Sequence, residues 1–136
     1  MGRRLFELIL AVKRKCQGNE EQIQAELGLS QAHFNGLIVL EEKQEITGSE
    51  FAERMALSPS RGSRVLNTLV LDGYVKTHSR PGDRRSIMVC LTPKGRRTKQ
   101  RIVGRMQACE NRISTSLDHK GLGRVMHALE LLEATL

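Results

Sequence analysis

Apolar residues recur at helical spacing from the start of the chain. Leu5, Leu8, Ile9, Val12 and Cys16 share one face of a helix. That helix either breaks at Gly18 or continues through Ile23 and Leu27, and Gly28 is its stop signal. Ser30 is a natural N-cap for a second helix that carries Phe34, Leu37, Ile38 and Glu41. The next start signal combines two devices. Thr47 and Glu50 are spaced as a capping box, and Ile46 and Phe51 occupy the staple positions around it, which predicts a short helix from Gly48 to Met55. Ser58 followed by Pro59 opens another helix, which buries Val65, Leu66 and Leu69 and ends near Gly73. The turn Ala56-Leu57-Ser58 joins these two helices into a helix-turn-helix.

The periodicity then changes. Tyr74 to Arg80 reads as a strand and Ile87 to Thr92 as another, with Ile87, Val89 and Leu91 alternating onto one face. Pro81 to Ser86 turn the chain between them, with charged residues at the tip. A hairpin directly after a helix-turn-helix is a wing. Thr92 and Pro93 start a helix carrying Ile102, Met106, Cys109, Ile113 and Leu117, a spacing close to a coiled-coil seam. A last helix carries Leu122, Val125, Met126, Leu129, Leu132 and Leu136.

The expected fold class is therefore mainly α with a small β-hairpin wing (α+β). It is a winged helix-turn-helix flanked by N- and C-terminal dimerisation helices. We expect a single domain over residues 1–136, with a winged lobe at 44–92 and a helical dimerisation region at 1–43 plus 93–136. The terminal helices carry more apolar surface than one small core needs. Leu5, Leu8, Ile9, Ile113, Leu117, Leu122, Val125, Met126, Leu129 and Leu132 are the expected interface with a second copy.

Charge sharpens this picture. The net charge is +7, and residues 76–105 alone hold ten Lys and Arg against one acid, Asp83. Such a distribution favours a polyanionic partner. Aromatic residues are few (Phe6, Phe34, Phe51 and Tyr74, with no Trp), which disfavours base-stacking on single strands. The outer face of the second helix of the pair offers Ser60, Arg61, Ser63, Arg64, Asn67 and Thr68 to base edges and phosphates of a duplex. On the wing, an arginine among Asp83, Arg84 and Arg85 can enter a narrow minor groove, held in pose by the acid.

Other classes find less support. No nucleophile–base pair or phosphate-binding glycine loop is present, so neither enzyme activity nor a cofactor is expected. His33, His78, His119 and His127 lack ligand spacing on one helix, so no metal is expected. Cys16, Cys90 and Cys109 lie far apart, as reduced thiols in a cytoplasmic protein do. The apolar start resembles a leader only superficially, because Glu7 interrupts it and Lys13-Arg14-Lys15 follow. No apolar run reaches the roughly 18 residues of a membrane span.

Taken together, these motifs resemble the MarR family of regulators over nearly the whole chain. The resemblance rests on Ile46-Thr-Gly-Ser-Glu-Phe-Ala-Glu-Arg-Met, Ser58-Pro-Ser-Arg-Gly-Ser-Arg-Val-Leu, Leu71-Asp-Gly-Tyr-Val, and Gly82-Asp-Arg-Arg-Ser through Leu91-Thr-Pro-Lys-Gly. It implies a homodimer on a pseudo-palindromic double-stranded DNA operator, a repressor released by a small-molecule effector or another signal. It also implies that Arg85 enters the minor groove with Asp83 orienting it. Gly62 departs from the family pattern, which usually has an inward apolar residue there. It either lets the two helices approach closely or loosens the pair. Two alternatives stand beside this reading. One is a winged-helix scaffold for proteins without DNA binding. The other is a redox-sensing regulator using Cys16, whose neighbours Lys13, Arg14 and Lys15 favour a thiolate. Cys109 is expected in the core of the seam.

Overall fold

Leu5–Leu27 form one uninterrupted helix, α1, so no break occurs at Gly18. It stops at Gly28, whose φ of 66° places it in the left-handed region that glycine tolerates. The computed structural model describes residues 2–80 and 82–136, with the side chains of residues 83–85 outside the description. The chain continues through α2 (Gln31–Val39), β1 (Ile46–Thr47), α3 (Gly48–Arg54), α4 (Pro59–Leu71), β2 (Val75–Arg80), β3 (Asp83–Leu91), α5 (Pro93–Ser116) and α6 (His119–Thr135). Two compact units result, residues 1–102 and Val103–Leu136.

The caps follow the sequence closely. Ser30, Thr47 and Ser58 each accept a backbone N–H from the first turn of their helix, and Thr92 Oγ1 accepts Gly95 N–H at 3.1 Å. The capping box at Thr47 forms only in part. The Glu50 carboxylate takes the Arg54 guanidinium at 2.9 Å, a charge-assisted bond that outbids a backbone amide.

The sheet is antiparallel with order β1-β3-β2. β1 is the strand the sequence analysis missed. Ile46 and Thr47 act as staple and cap, and they also pair with Val89 and Met88. β3 is longer than expected, beginning at Asp83, which pairs with Arg80 at the end of β2, so most of the expected six-residue loop is strand. The face assignment also needs correction, because Val89 and Leu91 are buried as expected while Ile87 is 47% exposed and Met88 is buried. The register explains it. β1 reaches only as far as Met88, and beyond it Ile87 pairs with Ser79 in a two-stranded ribbon.

The core lies in the first unit. Phe34, Leu37 and Leu40 meet Phe51, Leu69, Val89, Leu91 and Ile102, all essentially inaccessible to solvent. The second unit has no such core: none of its residues is buried. Met106, Ile113, Leu117, Val125, Met126 and Leu129 are all exposed there, and Cys109, expected in the core, is only half-buried. At the other end of the chain Leu5, Phe6, Leu8 and Val12 are exposed on α1. No helix among the described residues is long and apolar enough to cross a membrane.

Candidate nucleic-acid interface

The properties of α4 come from its two faces. Gly62, Leu66 and Leu69 are buried, which leaves Ser60, Arg61, Ser63, Arg64, Asn67 and Thr68 exposed together. Ser58 fixes the entry to this helix by accepting Arg61 N–H, and Pro59 follows in its first turn. Among the described residues the guanidinium groups of Arg61 and Arg64 have no ion-pair or hydrogen-bond partner. Two cations on the outer face of a helix, with their donors uncommitted, can meet phosphates or guanine edges without first breaking an internal contact. Two of the outer hydroxyls are already used. Ser60 Oγ lies 3.3 Å from Ser58 Oγ, and Thr68 Oγ1 donates to the Arg64 carbonyl at 3.0 Å.

Gly62 is the residue that sets α4 against α3. A Cβ at this position would lie 2.5 Å from the Ala52 Cβ, so the glycine permits a close helix crossing. The turn between the two helices includes Ala56 at φ 55°, the one non-glycine residue with positive φ among those described.

Beside the start of α4 lies a shallow open cleft. It is lined by Thr47, Gly48, Ser49, Pro59, Ser63, Ser86 and Ile87. Only Ser63 of these was a candidate from the sequence. The signal for the rest is the hydroxyl-rich Thr47-Gly48-Ser49 opening of α3, which capping alone had accounted for. For the wing, the backbone of Asp83, Arg84 and Arg85 lies at the start of β3. Their side chains, and hence the minor-groove assignment, lie outside the described residues. Lys76 and Arg80 on β2 are exposed.

Two histidines hold the lobe from behind, each on a carboxylate. Ser30 N–H donates to His33 Nδ1 at 3.2 Å, so His33 Nε2 carries the proton it donates to Asp72 Oδ2 at 2.6 Å. Asp72 is the C-cap of α4, and Lys94 donates to its carbonyl at 2.7 Å while lying 4.5 Å from the Tyr74 ring centroid. On the sheet, His78 Nε2 and Glu45 Oε1 are 2.9 Å apart. That bond raises the His78 pKa and lowers that of Glu45, and burial pushes the nearby Cys90 thiol up. No group of residues suited to a metal ion occurs among the described residues.

A helix-turn-helix with an exposed polar second helix, followed by a hairpin that joins the short strand before it in one sheet, defines a winged helix. Residues 27–86, a little under half of the chain, match the model of the MarR family. The Mycobacterium tuberculosis protein Rv2011c is 28% identical over 132 residues, covering 97% of this chain and 89% of that protein. Among solved structures, MarR from E. coli in its apo form superposes with a TM-score of 0.74 at 22% identity, covering 97% of this chain and 98% of that one. RV1404 from Mycobacterium tuberculosis superposes with a TM-score of 0.80 at 17% identity, covering 98% of this chain and 95% of that one. At these identities the structural likeness establishes the fold.

Proposed function

We propose that the chain regulates transcription by binding double-stranded DNA as a homodimer, and that it represses where it occupies its operator. The observation that carries this reading is the outer face of α4, where Arg61 and Arg64 stand exposed and uncommitted beside Ser63 and Asn67. In this reading α4 lies in the major groove. Ser60, Arg61, Ser63, Arg64, Asn67 and Thr68 meet bases and phosphates there, and the wing places Arg84 and Arg85 at the adjacent minor groove with Asp83 orienting Arg85. Release by a small ligand or another signal completes the reading, as the likeness of residues 27–86 to the MarR family suggests.

The second unit supports the homodimer. None of its residues is buried, and its large apolar side chains form an exposed surface of the kind that marks an interaction site. Ile113, Leu117, Leu122, Val125, Met126, Leu129 and Leu132 on that unit are the surface we assign to a second copy, together with Leu5, Leu8 and Ile9 on α1.

The test is a titration of mixed-sequence and pool-selected duplexes by fluorescence anisotropy at several salt concentrations. Affinity should fall by roughly 10³–10⁵ between about 50 and 200 mM salt if six to ten phosphates are contacted. A flat response would remove the case for DNA. Footprints should show two half-sites about 10 base pairs apart, and protection of one isolated half-site by a monomer would refute the homodimer.

A further inference from the structure

The C-terminus of α2 lacks the means to end itself. A helix leaves its last carbonyls without intrahelical donors. Here the C-cap, Leu40, is extended with φ −98° and ψ 129°, so no left-handed turn folds back, and the last turn carries no basic residue. The orphan carbonyls are instead taken by two cations from elsewhere. Lys99 of α5 donates its ammonium to Ile38 O at 3.2 Å and also to Leu40 O. Arg54 of α3 donates to Val39 O at 3.0 Å. Three consecutive carbonyls are thus shared between two different helices.

Lys99 is unusual in a second respect. It is 8% exposed, the one buried charged residue among the described residues. Burying an ammonium without compensation is expensive, and no carboxylate lies within ion-pair distance of it among the described residues. What compensates it is the negative end of the α2 dipole together with the carbonyl lone pairs. Moving Lys99 away therefore strands a charge and leaves two carbonyls unpaired at once. Arg54 differs, because its other guanidinium nitrogen is held by Glu50 at 2.9 Å and Gln44 at 3.2 Å, which fastens it to its own helix and to the loop after α2. α5 runs on from Lys99 to Ser116, while α3 is the first helix of the helix-turn-helix.

We infer that Lys99 and Arg54 are positioning residues for DNA binding: between them they hold three consecutive carbonyls at the α2 C-terminus and so fix the helix-turn-helix relative to the start of α5. This rests on the DNA-binding reading above. Neither residue belongs to the outer face of α4. A displacement of α5 at Lys99 is passed through the α2 terminus to Arg54 and thence to α3.

The test uses the full-length protein with Lys99→Met, Lys99→Arg, Arg54→Met and the double Met variant. Binding is measured well below each melting temperature, on a duplex selected by the wild-type protein from a random pool. Lys99→Met should weaken binding about tenfold without changing the slope of affinity against salt, since the phosphate contacts remain, and Lys99→Arg should recover most of the loss. The double variant should lose less than the product of the single losses, because both act through one helix end. Amide exchange supplies a readout independent of DNA: in Lys99→Met the α3 amides should lose protection although Lys99 makes no hydrogen bond to α3. Wild-type affinity in Lys99→Met, losses that multiply, or faster exchange confined to residues 39–44 would each overturn the inference. Should Lys99→Met not fold, Arg54→Met decides the matter: its side chain is partly exposed, and the inference then requires lost protection at the start of α5. If the wild-type protein binds no duplex, the DNA reading fails and the exchange arm still decides whether the clamp couples the helices.

Discussion

Replacing Gly62 with Ala sets two effects of opposite sign against each other. In the interior of α4, helix propensity favours Ala over Gly by about 1 kcal/mol. Against this, the new Cβ would stand 2.5 Å from the Ala52 Cβ and 3.1 Å from the Ala52 Cα. Neither atom is the end of a flexible side chain, so α3 and α4 must separate. Overpacking of this kind costs typically about 1–3 kcal/mol. The clash therefore wins, and Gly62→Ala should destabilise by up to about 2 kcal/mol after the propensity gain is subtracted. Urea denaturation of wild type, Gly62→Ala, Ala52→Gly and the double variant measures the term directly. Ala52→Gly alone should destabilise by about 1 kcal/mol or more, through propensity and a lost buried methyl. In the double variant the clash is gone, so it should be more stable than the sum of the single losses by at least about 1 kcal/mol. If Gly62→Ala raises stability by its propensity gain and the cycle shows no coupling, the close crossing of the two helices is wrong.

Three further outcomes follow from the lobe. His78 has a raised pKa and Glu45 a lowered one, so their pair stabilises above the Glu45 range and below the folded His78 value and is lost as pH rises through that value; the gap in melting temperature between wild type and His78→Gln should be widest between the usual carboxylate and histidine ranges and close as pH rises past the histidine range, and a gap that grows with pH would contradict the pairing. Ala56 holds φ 55° in the inter-helix turn, so Ala56→Gly should be neutral or stabilising by up to about 1 kcal/mol in urea denaturation while Ala56→Val loses more than that; equal losses would show that the turn is unstrained. Arg64→Ala should relax base preference at one position per half-site, a contact worth about 1–3 kcal/mol, whereas Arg85→Ala should weaken binding most on A·T-rich flanks, and an Arg85 loss equal on all flanks would place the wing outside the minor groove.

Local signals were the most legible part of the sequence. Ser30, Thr47, Ser58 and Thr92 each accept the backbone amide that a cap requires, because capping depends only on neighbours in the chain. What depends on distant partners was not legible. β1 exists because Ile46 and Thr47 meet Val89 and Met88, a pairing that two residues cannot announce. The same strand decides why Met88 is buried and Ile87 is not. Lys99 looked like one more member of a basic run, and its burial depends on where the α2 carbonyls end up. His33 and His78 looked like lone histidines until the fold brought Asp72 and Glu45 to them. The exposed face of α4 was legible in full, since an amphipathic helix shows its outer face by the spacing of its inner one.

The distribution of buried residues bears on how binding and assembly are linked. The first unit has its own core and carries α4, so its reading surface exists within one chain. The second unit has no buried residue, and in the proposed reading a second copy covers its apolar side chains. A duplex with two half-sites then favours assembly by mass action, because the second lobe binds as an intramolecular event. A dimer also contacts twice the phosphates of a monomer, and the salt dependence scales with that number. Loss of the apolar contacts on α6 should therefore reduce the salt slope to about half as well as lower affinity. A change confined to α4 should lower affinity while leaving assembly in place. Those two signatures separate the role of the terminal helices from that of the winged lobe.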